Sequence, residues 1–141
     1  MNRKTTIEAA LDKGEPLVIF TVGDSMEPLL RNRETLVAIQ KVNGSLAIGQ
    51  LPLYKRPYSG EYVLHRIVWV TRDAYYTRGD NRFGMEKVPK EWVLGIVKEI
   101  SRDGKTIQVT DFRYKLYVFF RLAFYPVRLG WHKFQKRILK R

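Results

Sequence analysis

Cysteine is absent from this chain of 141 residues, and histidine occurs only twice. Without cysteine there is no disulfide framework, no thiolate nucleophile and no cysteine-based zinc site. Two histidines are also too few for a histidine-rich metal site. We therefore expect a protein that needs no metal ion and no cofactor. The length suits one domain that buries its own core.

Long apolar runs are missing as well. The longest, at residues 116–120, covers about one helical turn, whereas a helix that crosses a bilayer needs about 20 apolar residues. The first 14 residues have a basic start but no apolar centre, because Glu8 and Asp12 interrupt it, so they do not resemble a secretory signal peptide. The sequence predicts a soluble or peripheral protein, cytoplasmic by default.

Acidic side chains are lacking in one part of the chain only. All 14 lie within residues 1–111, where 17 basic side chains leave a net charge of +3, although the whole chain carries +12. Residues 112–141 hold nine Lys or Arg side chains and nine of the 18 aromatic ones. The body is therefore nearly neutral, and the C-terminal segment is the basic, aromatic part.

The pattern of residues 1–110 is typical of a small β-domain. The capping box Thr5-x-x-Glu8 and the stop at Gly14 predict one short N-terminal helix. Short β-rich runs separated by turn residues then predict strands at 17–22, 35–40, 50–55, 61–70, 74–77, 93–100 and 106–109. Closely spaced strands and turns indicate a compact, mostly antiparallel β-domain.

From residue 111 onward the apolar period becomes helical. One run continues until Pro126 interrupts it, and a second begins after Gly130. The first run is formed by Leu116, Phe119, Phe120, Ala123 and Phe124. The second places Trp131, Phe134 and Ile138 on one side and His132, Lys133, Lys136, Arg137 and Lys140 on the other. Residues 111–141 are predicted to form a basic amphipathic helix in two pieces.

Three interpretations of this extension are open. Phe119, Phe120 and Phe124 of the first piece are expected to pack on the β-domain. For residues 127–141 the pattern favours a peripheral membrane contact, with an aromatic face in the headgroup region and basic side chains on anionic lipid. Packing alone is the next alternative. Nucleic acid is the least favoured partner, because the body is near neutral and has no groove-reading motif.

Ser25 is the strongest candidate for a chemical role. It lies in the motif GDSMEP at 23–28, which follows a predicted strand and enters a turn. A serine in a turn is usually structural, but here a scaffold would hold it exposed, and Gly23 would permit close backbone approach. Its backbone N–H could then face a developing oxyanion.

His65 and Asp80 are the candidate partners of Ser25. Each has an ordinary alternative: His65 as a core histidine in an apolar strand, and Asp80 as a turn-former. As a general base, His65 would accept the serine proton, and Asp80 would orient it and stabilise its charge. An ordinary histidine pKa near 6.5 predicts a rate that falls below about pH 6.5.

Four ordered motifs resemble one superfamily. They are GDSMEP at 23–28, YVLHRIV at 62–68, YYTRGDNR at 75–82 and VPKEWVLGIV at 88–97. This order is similar to that of the superfamily that joins type I signal peptidases to LexA-like self-cleaving repressors. The resemblance implies that Ser25 is the nucleophile and that His65 is at the position of the general base. Bacterial members place lysine there, whereas archaeal and endoplasmic-reticulum signal peptidases use histidine.

The chain also departs from this family. Gly23 stands where bacterial signal peptidases commonly carry a hydroxyl that completes the oxyanion hole, so a second donor is not identified. The Gly-Asp pairs that often open two strands read Arg33-Glu34 and Gly49-Gln50. The C-terminal segment, with YKLYVFFRLAFYPVR at 114–128, is similar to small bacterial signal-peptidase-like proteins that lack the family's membrane anchor.

These observations predict a serine endopeptidase that cleaves a peptide or leader segment with a Ser/His dyad. Gly23, Met26 and Pro28 flank the nucleophile and are expected to contact the substrate. The alternative is a non-catalytic module of the same fold that docks a peptide, a membrane surface or nucleic acid. The sequence leaves the substrate and the oligomeric state open.

Overall fold

The computed structural model describes residues 6–139, and for Thr6 the backbone alone. The predicted fold class is confirmed: the protein is mainly β, with 34% strand and 27% helix, antiparallel sheets, a short N-terminal helix and helices at the C-terminal end. Thr5 of the predicted capping box lies outside the described residues, as do the basic residues Lys140 and Arg141. The predictions for these three residues stay predictions.

The elements follow one another with short connections. In chain order they are α1 (Thr6–Asp12), β1 (Leu17–Phe20), β2 (Leu36–Lys41), β3 (Pro52–Lys55), β4 (Tyr62–Leu64), β5 (Arg66–Val70), β6 (Ala74–Arg78), β7 (Glu86–Pro89), a 3₁₀ turn (Lys90–Trp92), β8 (Val93–Arg102), β9 (Lys105–Gln108), α2 (Phe112–Ala123) and α3 (Tyr125–Leu139).

Two antiparallel sheets carry the fold. The larger has the order β1-β2-β8-β3-β4, and β9 pairs with the far part of β8. The smaller contains β5, β6 and β7 in that order. The ten-residue β8 reaches β2, β3 and β9, so it ties the large sheet together. In the described part of the chain β1 and β4 are the two ends of this strand order, and β9, which pairs only with β8, is a further edge strand.

The main core lies between the large sheet, α1 and α2. Its buried members come from α1, from the strands and turns of the β-domain and from α2: Leu11, Met26, Leu29, Leu30, Val37, Ile39, Leu51, Leu53, Val97, Ile100 and Tyr114. Removing these side chains from water supplies the main driving force for folding. Tyr114 belongs to α2, so the C-terminal extension contributes to the same core as the β-domain. The division at residue 110 stays a prediction.

The predicted strand at 61–70 is divided in two. It breaks at His65: β4 belongs to the large sheet, and β5 begins the small one. The strand β7 was missed, since its sequence EKVP alternates weakly and ends in a proline. Elsewhere the predicted turn at Asp103-Gly104 joins β8 to β9 with a positive φ at both residues, as a tight hairpin requires.

The C-terminal helices differ from the prediction in two ways. The second piece is predicted to begin after Gly130, but α3 begins at Tyr125 and contains Gly130. Pro126 does not interrupt this helix, because it falls in the first turn, where a proline costs no helical hydrogen bond. The prediction that Phe119, Phe120 and Phe124 pack on the β-domain is wrong, since all three are exposed. Tyr114 and Tyr117 face the domain instead. Neither these helices nor α1 combines the length and apolarity needed to cross a membrane.

Candidate active site

Ser25 lies in a series of turns between β1 and β2. Gly23 has φ of 91°, a conformation that favours glycine, and its N–H donates to Asn32 Oδ1 at 2.8 Å. The Ser25 carbonyl accepts a hydrogen bond from the Asn81 N–H at 2.8 Å. These bonds hold the backbone on both sides of the serine, while its side chain stays half-buried at the protein surface.

His65 occupies the break between β4 and β5, where the chain passes from one sheet to the other. This position frees its side chain from the alternation of a single strand and directs it toward the Ser25 turn. The distance from His65 Nε2 to Ser25 Oγ is 3.2 Å. A nucleophile and a base separated by 40 positions therefore meet within hydrogen-bond reach.

The protonation of His65 is set mainly by its burial. Burial disfavours the charged ring and lowers the pKa of His65 to about 4, although the negative charge of Glu86 acts in the opposite direction. The imidazole is therefore neutral at pH 7. A neutral ring has a free lone pair on one nitrogen, which is what the acceptance of a serine proton requires.

The hydrogen-bonding partner of the second ring nitrogen is Tyr54, which the sequence reasoning missed. Tyr54 is fully buried on β3, at a shift in its register with β8. Its hydroxyl is 3.5 Å from His65 Nδ1 and donates to Glu86 Oε1 at 2.5 Å. A register shift re-aims a side chain, and here it places the phenol behind the histidine ring.

Glu86 is held by an arginine from the opposite side. Arg56 Nε and Nη2 each donate to one carboxylate oxygen of Glu86 at 2.9 Å. Partial burial alone would raise the pKa of Glu86, but the hydrogen bonds from Arg56 and Tyr54 outweigh it and hold the pKa below its ordinary value. Glu86 is therefore a carboxylate at neutral pH. It comes from β7, the strand that the sequence did not reveal.

These contacts select one tautomer of His65. The single Tyr54 hydroxyl proton is used by Glu86, so the Tyr54 oxygen can only accept from His65. His65 then carries its proton on Nδ1 and leaves the lone pair of Nε2 facing Ser25 Oγ. The residues that line up behind the serine are His65, Tyr54, Glu86 and Arg56, in that order.

Asp80 does not orient His65 as predicted, although its negative charge, like that of Glu86, opposes the effect of burial on the pKa of His65. Its carboxylate accepts two hydrogen bonds from Arg66, at 2.7 and 2.8 Å, and one from the Tyr117 hydroxyl at 2.9 Å. Within residues 6–139, His65 forms no hydrogen bond with it. Arg66 directly follows His65 and is 1% exposed, so its buried guanidinium requires a carboxylate partner, and Asp80 supplies it. Asp80 is thus the partner of Arg66.

The loop that contains Asp80 supports the Ser25 turn. Besides the bond from Asn81, the Asp80 N–H contacts Met26 Sδ at 3.3 Å. Gly79 packs so closely that a Cβ there would lie 2.5 Å from the Ser25 carbonyl oxygen. Two loops distant in sequence are therefore in direct backbone contact at the nucleophile.

A groove of about 470 Å³ opens beside Ser25 and His65. Its two sides come from β1 with the residues that follow it and from β4, two edge strands of the large sheet. Of the predicted substrate contacts, Gly23 and Met26 line the groove. Pro28 does not: it lines a separate polar cleft with Asn32 and Asn81. The groove is mainly apolar, through side chains such as Ile19, Phe20, Leu53, Tyr62 and Leu64.

One donor for an oxyanion can be identified at the site, and it is the backbone N–H of Ser25. In the described part of the chain the Ser25 N–H has no hydrogen-bond acceptor, so it can donate to a substrate oxygen. Thr21 also lines the groove, but its hydroxyl donates to the Arg31 carbonyl at 3.0 Å. That proton is already used, and Thr21 is therefore not the missing second donor.

No family model, curated protein or solved structure matches this chain. The resemblance to signal peptidases and LexA-like proteins thus depends on the four sequence motifs. The contact between Ser25 and His65 does not depend on that resemblance.

Proposed function

We propose that the protein is a serine endopeptidase, related to type I signal peptidases and LexA-like proteins, in which Ser25 is the nucleophile and His65 the general base. The observation that carries the proposal is the 3.2 Å contact between Ser25 Oγ and His65 Nε2 at the wall of an open groove. The proposal is also supported by the neutral ring of His65, whose proton on Nδ1 leaves the lone pair of Nε2 free to accept the serine proton.

The reaction follows from these positions. Ser25 Oγ attacks the scissile carbonyl as its proton passes to His65 Nε2, and the Ser25 N–H donates to the oxyanion of the tetrahedral intermediate. His65 returns the proton to the leaving amine, which leaves an acyl-serine. Water then attacks this ester, again with His65 as the base. Tyr54 and Glu86 act as positioning residues, because Tyr54 contacts His65 and Glu86 contacts Tyr54, whereas neither touches the reacting atoms.

The groove favours an extended peptide as the substrate. An unpaired strand edge offers a row of backbone N–H and C=O groups to which a peptide can add as a further strand. Here β1 and β4 present such edges on the two sides of one groove. Alternate peptide side chains would enter the apolar part around Leu53 and Leu64, next to the scissile bond.

Covalent labelling with a fluorophosphonate tests the proposal together with its pH dependence. We expect modification of Ser25, located by mass spectrometry, at a rate that is retained at pH 5.5 and falls only through about pH 4, where His65 becomes protonated. The ordinary histidine pKa would have placed this fall near pH 6.5. An intact protein that is not labelled would favour the non-catalytic peptide-binding alternative.

Circular dichroism at each pH is the control for this profile. The unfolded chain binds a proton at His65 near pH 6.5, whereas the folded chain binds it only near pH 4. Between these values the unfolded state holds more protons, so the free energy of unfolding falls as the pH is lowered. A labelling rate that declines while the spectrum is unchanged reports the base and not the fold.

A Glu86→Gln variant tests the positioning role. Without the carboxylate, the Tyr54 hydroxyl can turn and donate to His65 Nδ1, which favours the tautomer with a proton on Nε2. We expect labelling of Ser25 to slow by roughly 10²-fold. The acid limb should also move to lower pH, because the negative charge of Glu86 raises the pKa of His65.

Glu61→Gln is the matched control for this variant. Glu61 accepts a hydrogen bond from Arg56 Nη1 at 2.8 Å and is not a hydrogen-bond partner of Tyr54 in the described structure. The Glu61→Gln substitution therefore removes a carboxylate from the same arginine and leaves the tautomer of His65 unchanged. Equal rates and equal pH profiles for the two variants would show that Glu86 does not position His65.

A further inference from the structure

The helices α2 and α3 each have one face that is fixed to the rest of the protein. Tyr117 donates to the Asp80 carboxylate, and Arg121 and Arg128 donate to its carbonyl at 3.0 and 2.7 Å. Further along, Tyr125 donates to the Phe83 carbonyl, and His132 stacks on the Phe83 ring with centroids 4.3 Å apart. These contacts determine which side of each helix faces outward.

The outward side is a row of large apolar residues, here called the apolar stripe. Its rings form two clusters: the rings of Phe119 and Phe120, Phe120 and Phe124, and Trp131 and Phe134 have centroids 5.6 to 5.8 Å apart. Exposed apolar patches of this kind mark interaction surfaces. The stripe consists of Leu116, Phe119, Phe120, Phe124, Val127, Trp131, Phe134 and Ile138, all of them exposed.

The charge around the stripe has one sign. Residues 112–141 contain nine basic side chains and no acidic one. Lys115, Lys133, Lys136 and Arg137 are exposed on the described part of the helices. An aromatic face bordered by Lys and Arg matches the interface of an anionic bilayer, where rings enter the boundary of headgroups and acyl chains and cations meet the headgroups.

Other partners fit these features less well. A second copy of the chain would bring two sets of basic side chains together, and like charges repel. Single-stranded nucleic acid stacks its bases on ring faces, but Leu116, Val127 and Ile138 interrupt the row of rings with aliphatic side chains. Acyl chains accept aliphatic and aromatic groups equally.

We propose that α2 and α3 form a membrane-docking surface that lies on an anionic bilayer through the apolar stripe. The helices, about 18 and 22 Å long, lie in the interface and do not cross the bilayer. Their anchored faces hold the β-domain and its groove at the lipid surface. This inference extends the sequence-based expectation for residues 127–141 to α2 as well. It does not depend on the chemistry of Ser25.

Flotation of the full chain with vesicles tests the proposal. The vesicles are phosphatidylcholine alone or phosphatidylcholine with phosphatidylserine. We expect the protein to float with the anionic vesicles, more weakly with the neutral ones, and less at high salt. A Trp131→Ser/Phe134→Ser variant should lose binding to anionic vesicles by about tenfold or more, because its rings no longer enter the interface.

The chain offers a matched control. Trp69 is 59% exposed and Trp131 is 60% exposed, but Trp69 lies on β5, away from the helices. Trp69→Ser should float like the wild type and keep the blue shift of tryptophan fluorescence on anionic vesicles, whereas Trp131→Ser should lose it. A Ser25→Ala variant should also float normally, which separates this test from that of the proposed function.

Several results would overturn the proposal. One is a wild-type protein that stays unbound on anionic vesicles at low salt. Another is an equal loss of flotation in the Trp69 and Trp131 variants. A third is self-association of the protein, seen in sedimentation, that covers the stripe; it would assign the stripe to a second copy. A fourth is an oligonucleotide that binds the stripe and keeps the protein from the vesicles; it would assign the stripe to nucleic acid.

Discussion

A Ser25→Ala variant is expected to lose peptide hydrolysis by about 10⁴-fold or more, the largest effect predicted for any single change in this protein. The reason is that Ser25 is the nucleophile of the covalent step: the lone pair of His65 Nε2 faces Ser25 Oγ at 3.2 Å. The measurement is mass spectrometry of a pool of synthetic peptides, in which new termini report cleavage. Ser45→Ala, an exposed serine outside the groove, is the control.

The double variant Ser25→Ala/His65→Ala makes this test stricter. Residues that act as one unit do not add their effects, so the double variant should be no slower than either single one. Hydrolysis at the wild-type rate in Ser25→Ala would contradict the proposed function. Additive losses in the double variant would mean that the two residues act separately.

The second large effect concerns stability. Asp80→Ala is expected to lower the free energy of unfolding by about 3–5 kcal/mol, because it leaves the Arg66 guanidinium buried without its anion. The side chains of this pair are 1% and 2% exposed. Urea unfolding followed by circular dichroism measures the loss. The same change removes the acceptor of Tyr117, so the docking of α2 weakens with it.

A second aspartate–arginine pair serves as the comparison. Asp24 and Arg82 form an ion pair at the surface, with side chains 60% and 47% exposed. Exposed pairs contribute little, because water and salt screen them, so Asp24→Ala should cost far less than Asp80→Ala. Arg66→Ala/Asp80→Ala should be less unstable than the sum of the single variants. Similar losses in Asp24→Ala and Asp80→Ala would refute the assigned role of the buried pair.

The strands of this fold could be predicted largely from local pattern, and the exceptions have physical causes. Residues 61–70 contain no glycine or proline and are rich in β-formers, so nothing local reveals that the chain changes sheets at His65. The strand β7 forms because β6 offers it an edge, a tertiary contact that the four residues EKVP do not encode. The faces of α2 were inverted because hydrophobicity alone predicts phenylalanine inward. The buried Arg66–Asp80 pair instead takes hydroxyl partners from this helix: Tyr114 accepts from Arg66, and Tyr117 donates to Asp80.

The part of the site that lies within sequence motifs could be predicted. The surroundings of Ser25 and His65 indicated the pair, and the structure brings them together. The residues behind His65 could not be predicted from the sequence. Tyr54 and Glu86 are 32 positions apart, and neither lies in a motif that marks it. The misassignment of Asp80 had a visible signal: Arg66 stands in an apolar strand, and an arginine in such a position needs a carboxylate partner.

The contact between Gly79 and Ser25 limits how this protein can vary. A side chain at position 79 would meet the carbonyl oxygen of the nucleophile at 2.5 Å, and backbone at that point cannot move without displacing Ser25. Gly84, five positions later, has no atom within 4 Å of a Cβ and is free to change. Two glycines of one loop therefore differ in mutational tolerance, and a variant library screened for labelling of Ser25 should accept substitutions at position 84 and reject them at position 79.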